Sequence, residues 1–123
     1  MPFIEVITPE SALEQSEEVI AGLTSALAEA WDINPSIVTT YLIGVPNARY
    51  GHAGQIGPAA RAHRVFVKIH SFRRDAKARR RAAVAIAAAL VEAGVPDEAA
   101  IVYFLEREPD EVSHGGRLAS DNP

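Results

Sequence analysis

Two stretches of this chain are versions of one unit. Slid by about 63 residues, the sequence falls over itself in pattern. Pro2-Phe3-Ile4-Glu5-Val6 lies over Val65-Phe66-Val67-Lys68-Ile69, two short runs of β-branched and aromatic residues with a charge at the same place. Ile20, Leu23 and Leu27 lie over Ala83, Ile86 and Leu90, spaced as one face of an amphipathic helix. Val38–Ile43 lies over Ile101–Glu106, a second strand in each half, and Pro46 lies over Pro109 just beyond it. Glycine-containing segments follow in both halves, Gly51-His52-Ala53-Gly54 and His114-Gly115-Gly116. Ser11-x-x-Glu14 has the form of a capping box for the first helix.

Each half therefore reads β-α-β plus a short tail. A helical crossover joins parallel strands. Two such units predict an α+β fold, a four-stranded sheet with two helices on one face. The expected organisation is a single domain, 1–123, with repeat one over 2–54, a Gly-, Pro- and Ala-bearing linker over 55–64 and repeat two over 65–120. Phe3, Val6, Leu42, Val67, Ile69 and Phe104 are more apolar strand residues than two helices are expected to cover. The leftover sheet face predicts an oligomer. Apolar residues at 48% and charged residues at 23% suit a soluble globular chain. The longest apolar run, Ala82 to Val91, falls far short of the roughly 20 residues of a membrane span, and nothing resembles a signal peptide, so the expected location is cytoplasmic with no membrane partner. Without cysteine there is no disulfide, thiolate metal site or cysteine nucleophile.

The net charge of −4 argues against a chain that coats nucleic acid. Six of the twelve basic residues nevertheless crowd into Arg73–Arg81, at the expected start of the second helix. Acids normally favour that position, as Glu10, Glu14, Glu17 and Glu18 do around the first helix. Arg73 and Arg74, beside the free N–H groups of a helix start, predict an anion site. Lys77, Arg79, Arg80 and Arg81 read as a solvated face, and no aromatic residues interleave with them as nucleic-acid binding would require. His52, His63, His70 and His114 match no metal-ligand spacing, so no metal and no cofactor are expected. Neither glycine segment leads into a helix, which excludes a phosphate loop.

Pro2 is either incidental or, once Met1 is removed, a terminal secondary amine. A free α-amino group titrates near 7.7–8.0. An apolar setting beside cations lowers that value and makes the nitrogen a competent general base. A carboxylate substrate held by Arg73 would present its α-carbon proton or enol hydroxyl to it.

Taken together, Pro2-Phe3-Ile4-Glu5-Val6, the junction Ile69-His70-Ser71-Phe72-Arg73-Arg74 and the tail Gly115-Gly116-Arg117-Leu118-Ala119-Ser120 resemble the tautomerase superfamily. That group includes 4-oxalocrotonate tautomerase, macrophage migration inhibitory factor, malonate semialdehyde decarboxylase and the 3-chloroacrylic acid dehalogenases. The resemblance runs from Pro2 to about Ser120 and implies a homotrimer of two-unit chains. It implies that Pro2 is the catalytic base and that Arg73 binds the substrate carboxylate with Arg74 beside it. Tyr103 matches a tyrosine that helps activate water or polarise substrate in the cis-type dehalogenases. Tyr50 lies where the short tautomerases line the pocket with an aromatic residue, and His114 reads either as a residue at the pocket mouth, in contact with substrate, or as a surface-loop residue. Both tyrosines also read as packed aromatics with surface hydroxyls. Glu10, Thr39, Ile37, Trp31 and His114 stand where relatives carry, in turn, two arginines, the decarboxylase's acid, and the dehalogenase's histidine and glutamate. What remains is proton transfer on a small 2-keto or enol acid with one carboxylate, by a cofactor-free tautomerase. The alternatives are a decarboxylase- or hydratase-type lyase of the same superfamily, or a non-catalytic ferredoxin-like binding module.

Overall fold

The computed structural model describes residues 1–13, 16–60 and 64–121. Repeat one runs β1 (Phe3–Pro9), α1 (Ser16–Trp31) and β2 (Thr39–Val45), then a hairpin of β3 (Gly51–His52) and β4 (Gln55–Ile56). Repeat two runs β5 (Val65–Phe72), α2 (Ala76–Glu92) and β6 (Ala100–Arg107), then a hairpin of β7 (Ser113–His114) and β8 (Arg117–Leu118). The main sheet has the order β2-β1-β5-β6. Each outer pair is parallel, as a helical crossover requires, and β1 meets β5 antiparallel at the centre. This is the expected α+β architecture. Among the described residues no helix is long and apolar enough to cross a membrane.

Alternation along the strands decides what lies under the helices. Ile4 and Val6 of β1, and Val65, Val67 and Ile69 of β5, are fully buried. They meet Val19, Leu23, Leu27 and Trp31 of α1 and Ala78, Ala82, Ile86 and Leu90 of α2, one residue per helical turn. The two helices are not interchangeable. The α1 stripe ends in the large Trp31, and α2 offers the small Ala78 beside it. Both helices close alike. Asp32 (φ 51°) and Gly94 (φ 94°) take the left-handed conformation, and the N–H groups of Ile33 and Val95 donate to the carbonyls of Ala28 and Leu90, each at 2.9 Å.

The uncovered sheet face differs from expectation in its membership. Val6, Val67 and Ile69 lie under the helices, and Leu42 and Phe104 pack against the same core. Only Phe3 of the expected set lies on the open side. The open face is built from three rows across β2-β1-β5-β6: Thr39-Phe3-His70-Leu105, Tyr41-Glu5-Lys68-Tyr103 and Ile43-Ile7-Phe66-Ile101. Phe3 stacks flat on His70 with ring centroids 4.0 Å apart, and His70 Nε2 lies 2.6 Å from Glu5 Oε1. Tyr41 and Tyr103 are each 56% exposed. Aromatic and aliphatic side chains, Tyr41, Ile43, Phe66 and Tyr103 among them, thus stand exposed together on this face.

Three boundaries also differ. In the second strand Leu42 falls over Phe104 and Tyr41 over Tyr103, so the duplication is one residue shorter there than the opening shift implies. A one-residue slip exchanges the two faces of a strand. Helix α1 begins at Ser16, so Ser11 is not its cap; the Ser11 hydroxyl instead donates to Asn47 Oδ1 at 3.0 Å, and Glu14 lies outside the described residues. Finally, Gln55 and Ile56 pair with His52 and Gly51, so the hairpin of repeat one runs into the expected linker. Ala53 (φ 54°) and Gly54 (φ 78°) turn that hairpin, as Gly115 (φ 61°) and Gly116 (φ 81°) turn its counterpart.

Candidate active site

The strand directions bring four chain segments to one end of the sheet: the starts of β1 and β2 and the ends of β5 and β6. Pro2, immediately before β1, is buried there, and its carbonyl accepts from the N–H of Thr39 at 3.5 Å. Phe3 pairs with His70, so continuing the register sets Pro2 level with Ser71. Arg73 leaves β5 two residues later. Pro2, Arg73 and Arg74 therefore share one end of the sheet, as their order along the strands requires.

Carboxylates already occupy that corner. The Arg73 Nε donates to Glu108 Oε1 at 2.8 Å, and its Nη1 lies 3.8 Å from Glu106 Oε1. The hydrogen bond and charge of Glu108, reinforced by Glu106, push the Arg73 pKa up. Glu106 is 11% exposed and is the deeper of the two acids. It accepts from the Arg74 N–H at 2.7 Å and from Arg79 Nη1 at 3.0 Å, while Arg79 also donates to the Arg74 carbonyl. Burial pushes the Glu106 pKa up, but those hydrogen bonds and the charges of Arg79 and Arg73 outweigh it and hold the carboxyl below its ordinary value. The Arg74 guanidinium lies 4.1 Å over the Trp31 ring, whose Nε1 donates to the Ala78 carbonyl at 2.8 Å.

Arg73 and Arg74 precede α2, and Lys77, Arg79, Arg80 and Arg81 lie in its first two turns. The helix starts at Ala76 with Asp75 as N-cap, and Asp75 accepts from the Ala78 N–H at 2.8 Å. That backbone hydrogen bond, helped by Arg81, Lys77 and Arg79, keeps the Asp75 pKa low. The helix start thus has its acid, and the Arg74 N–H is already taken by Glu106. The side chain of Arg73, 65% exposed, is the cation that an incoming anion can reach.

The other sequence candidates sit on three different segments. Tyr103 stands on the open sheet face beside Lys68, with its ring 6.1 Å from Phe66. His114 is exposed on the hairpin that follows β6. The Tyr50 hydroxyl accepts from the Arg64 N–H at 2.7 Å, just before β5, which is the opposite end of the sheet from Pro2. Within one chain Tyr50 and Pro2 are not brought together. His63 lies outside the described residues. Among the described residues no three His, Cys, Asp or Glu side chains converge as a metal set. The sequence reading missed Glu106 and Glu108. Two acids at the end of the second strand, facing a basic junction after the first, were the available signal.

Glu106 makes a stability prediction. Its lowered carboxyl contributes stability that is present above the carboxyl's unfolded pKa and is lost as pH falls through its folded value. Glu106→Gln is expected to cost about 1–2 kcal/mol at neutral pH, discounted because Arg79 is about one-third exposed. The gap between variant and native protein should begin to shrink as pH falls below about 4.3, the ordinary glutamate value, and close below the lowered folded value, where both side chains are neutral. Urea melts at several pH values read it directly; a constant gap down to pH 3 would contradict it.

No family model and no curated protein matches the sequence. Solved structures do match the fold. Native fused 4-OT superposes with a TM-score of 0.84 at 18% identity, over 96% of this chain and 96% of that one. A wild-type asymmetric trimer of fused 4-OT gives 0.80 at 20% identity, again over 96% of each chain. Malonate semialdehyde decarboxylase inhibited by 3-bromopropiolate gives 0.75 at 19%, over 96% of this chain and 92% of that one. With its tandem β-α-β units, its β2-β1-β5-β6 sheet and these superpositions, the chain has the fold of the fused 4-OT structures.

Proposed function

We propose that the protein is a cofactor-free tautomerase of a small 2-keto or enol monocarboxylic acid. Pro2, exposed as a terminal amine by removal of Met1, is the general base, and Arg73 anchors the carboxylate. The observation that carries this reading is the placement of Pro2 at the end of the sheet where β5 delivers Arg73. The Pro2 nitrogen takes the proton from the enol hydroxyl on C2 and returns it to C3, the carbon beside the new keto group. Burial of Pro2 disfavours a charged ring nitrogen and favours the free base. Arg73 draws the carboxylate towards that base without joining the proton transfer.

The trimer belongs to the same proposal. Two of the matching structures are described as asymmetric trimers of fused 4-OT. The open sheet face, with Phe3, Ile7, Tyr41, Ile43, Phe66 and Tyr103, is the surface for neighbouring chains. In such a trimer Tyr103, and Tyr50 from an adjacent chain, would be the residues able to complete a pocket that one chain leaves unfinished. Phe66→Asp places a charge in that face and is expected to leave single chains, measured as a threefold drop in sedimentation mass. A native protein that already sediments as a single chain would refute the trimer.

The test of the activity is ultraviolet-monitored ketonisation of phenylenolpyruvate by the native protein, Pro2→Ala and Arg73→Ala. The expected pattern is a fall in kcat for Pro2→Ala and a rise in KM for Arg73→Ala. Undiminished turnover in Pro2→Ala would remove the central claim.

A further inference from the structure

We propose that Glu108 is a specificity-determining residue that acts as an internal ligand: its carboxylate holds Arg73 in the free protein and yields to the carboxylate of the incoming acid. The inference rests on the reading of Arg73 as the substrate anchor. The competing group is the Glu108 carboxylate. It makes a 2.8 Å hydrogen bond to the Arg73 Nε, the same contact a substrate carboxylate would make. It is also tied locally. The Glu108 N–H donates to Glu111 Oε1 at 2.8 Å, and the Glu108 side chain accepts from the Glu111 backbone, a reciprocal cap on the turn Pro109–Glu111. The turn, and not Arg73, sets where this carboxylate stands. It stays in place when Arg73 turns away.

Exposure separates the two acids at Arg73. The Arg73 and Glu108 side chains are 65% and 51% exposed, so exchanging one carboxylate for another buries nothing and strands no group. Glu106 has no such freedom, because its bonds to the Arg74 N–H and to Arg79 hold it beneath α2. An exposed pair is weak, so Glu108 competes with substrate by a factor of about two to five and does not block it. The remaining charge has a second consequence. A substrate with another carboxylate directed at this corner meets Glu106, Glu108 and Glu111, all close enough to act on Arg73. Repulsion of that kind selects acids with one carboxylate.

The experiment is Glu108→Gln. Glutamine keeps a side-chain oxygen for the Glu111 N–H, so the turn is preserved while the competing charge is removed. The expected result is a KM for phenylenolpyruvate about two- to fivefold lower with kcat unchanged. A second readout needs no turnover: titrate nitrogen-labelled native protein and Glu108→Gln with phenylpyruvate and follow the Arg73 Nε–H resonance. The midpoint should fall by the same factor in the variant. If the Pro2 reading fails and neither protein turns over, the titration alone decides. An unchanged or raised midpoint in Glu108→Gln, or an Arg73 signal that phenylpyruvate never moves, overturns the proposal.

Discussion

Pro2→Ala is expected to lower kcat for phenylenolpyruvate ketonisation by about 10²–10⁴, the usual contribution of a positioned proton-transfer group. The loss is incomplete because alanine at the terminus is still an amine. What it lacks is the ring that fixes φ and so the direction of the nitrogen lone pair. A stricter comparison is a chain whose residue 1 is retained. There the Pro2 nitrogen is a tertiary amide with no basic lone pair, and turnover should vanish while binding persists. The pH profile carries the sign. Only the unprotonated amine accepts a proton, so kcat/KM should rise with pH through the amine's pKa and then level. Native protein that turns over equally with residue 1 present or absent would exclude Pro2 as the base.

The second large effect is structural. Trp31→Ala is expected to cost about 3–5 kcal/mol, the range for truncating a buried aromatic. Trp31 is 5% exposed and sits where α1 meets the start of α2. Its loss removes the hydrogen bond to the Ala78 carbonyl and the ring under the Arg74 guanidinium. Ala78 and Ala82 are too small to fill the space. Trp31→Phe keeps most of the volume and loses the donor, so it should cost nearer 1 kcal/mol. Urea midpoints at one fixed protein concentration compare the three proteins, because association would couple to unfolding. A shift smaller for Trp31→Ala than for Trp31→Phe would show that the site collapses around the gap. Arg74 joins Arg73 to this platform, so Trp31→Ala should also raise KM in the fraction that remains folded.

The duplication was readable because each unit carries its own local period. Alternation in Phe3–Val6 and Val65–Ile69, and the spacing of Leu23 with Leu27 and of Ile86 with Leu90, are properties of short stretches. They fix parallel pairs and a helical layer whatever lies elsewhere in the chain. Register was not readable to the same accuracy. The second strand of repeat two comes one residue early, and in a strand that exchanges the core face for the open one. Only pairing with β5 shows that Val102 and Phe104 turn inward and Tyr103 outward.

The site divides in the same way. The sequence by itself determined that Pro2 opens a strand and that Arg73 follows one. It did not determine what Arg73 touches. Glu106 and Glu108 are 33 and 35 residues further along, and they reach Arg73 only because β6 runs parallel to β5 and ends beside it. Arg73 and Arg74 read as a bare anion site because the carboxylates that meet them, Glu108 and Glu106, come from another strand. Local periodicity is carried by neighbouring residues in the chain. Charge pairing across a sheet is set by which strand ends are brought together, and that is decided by tertiary structure alone.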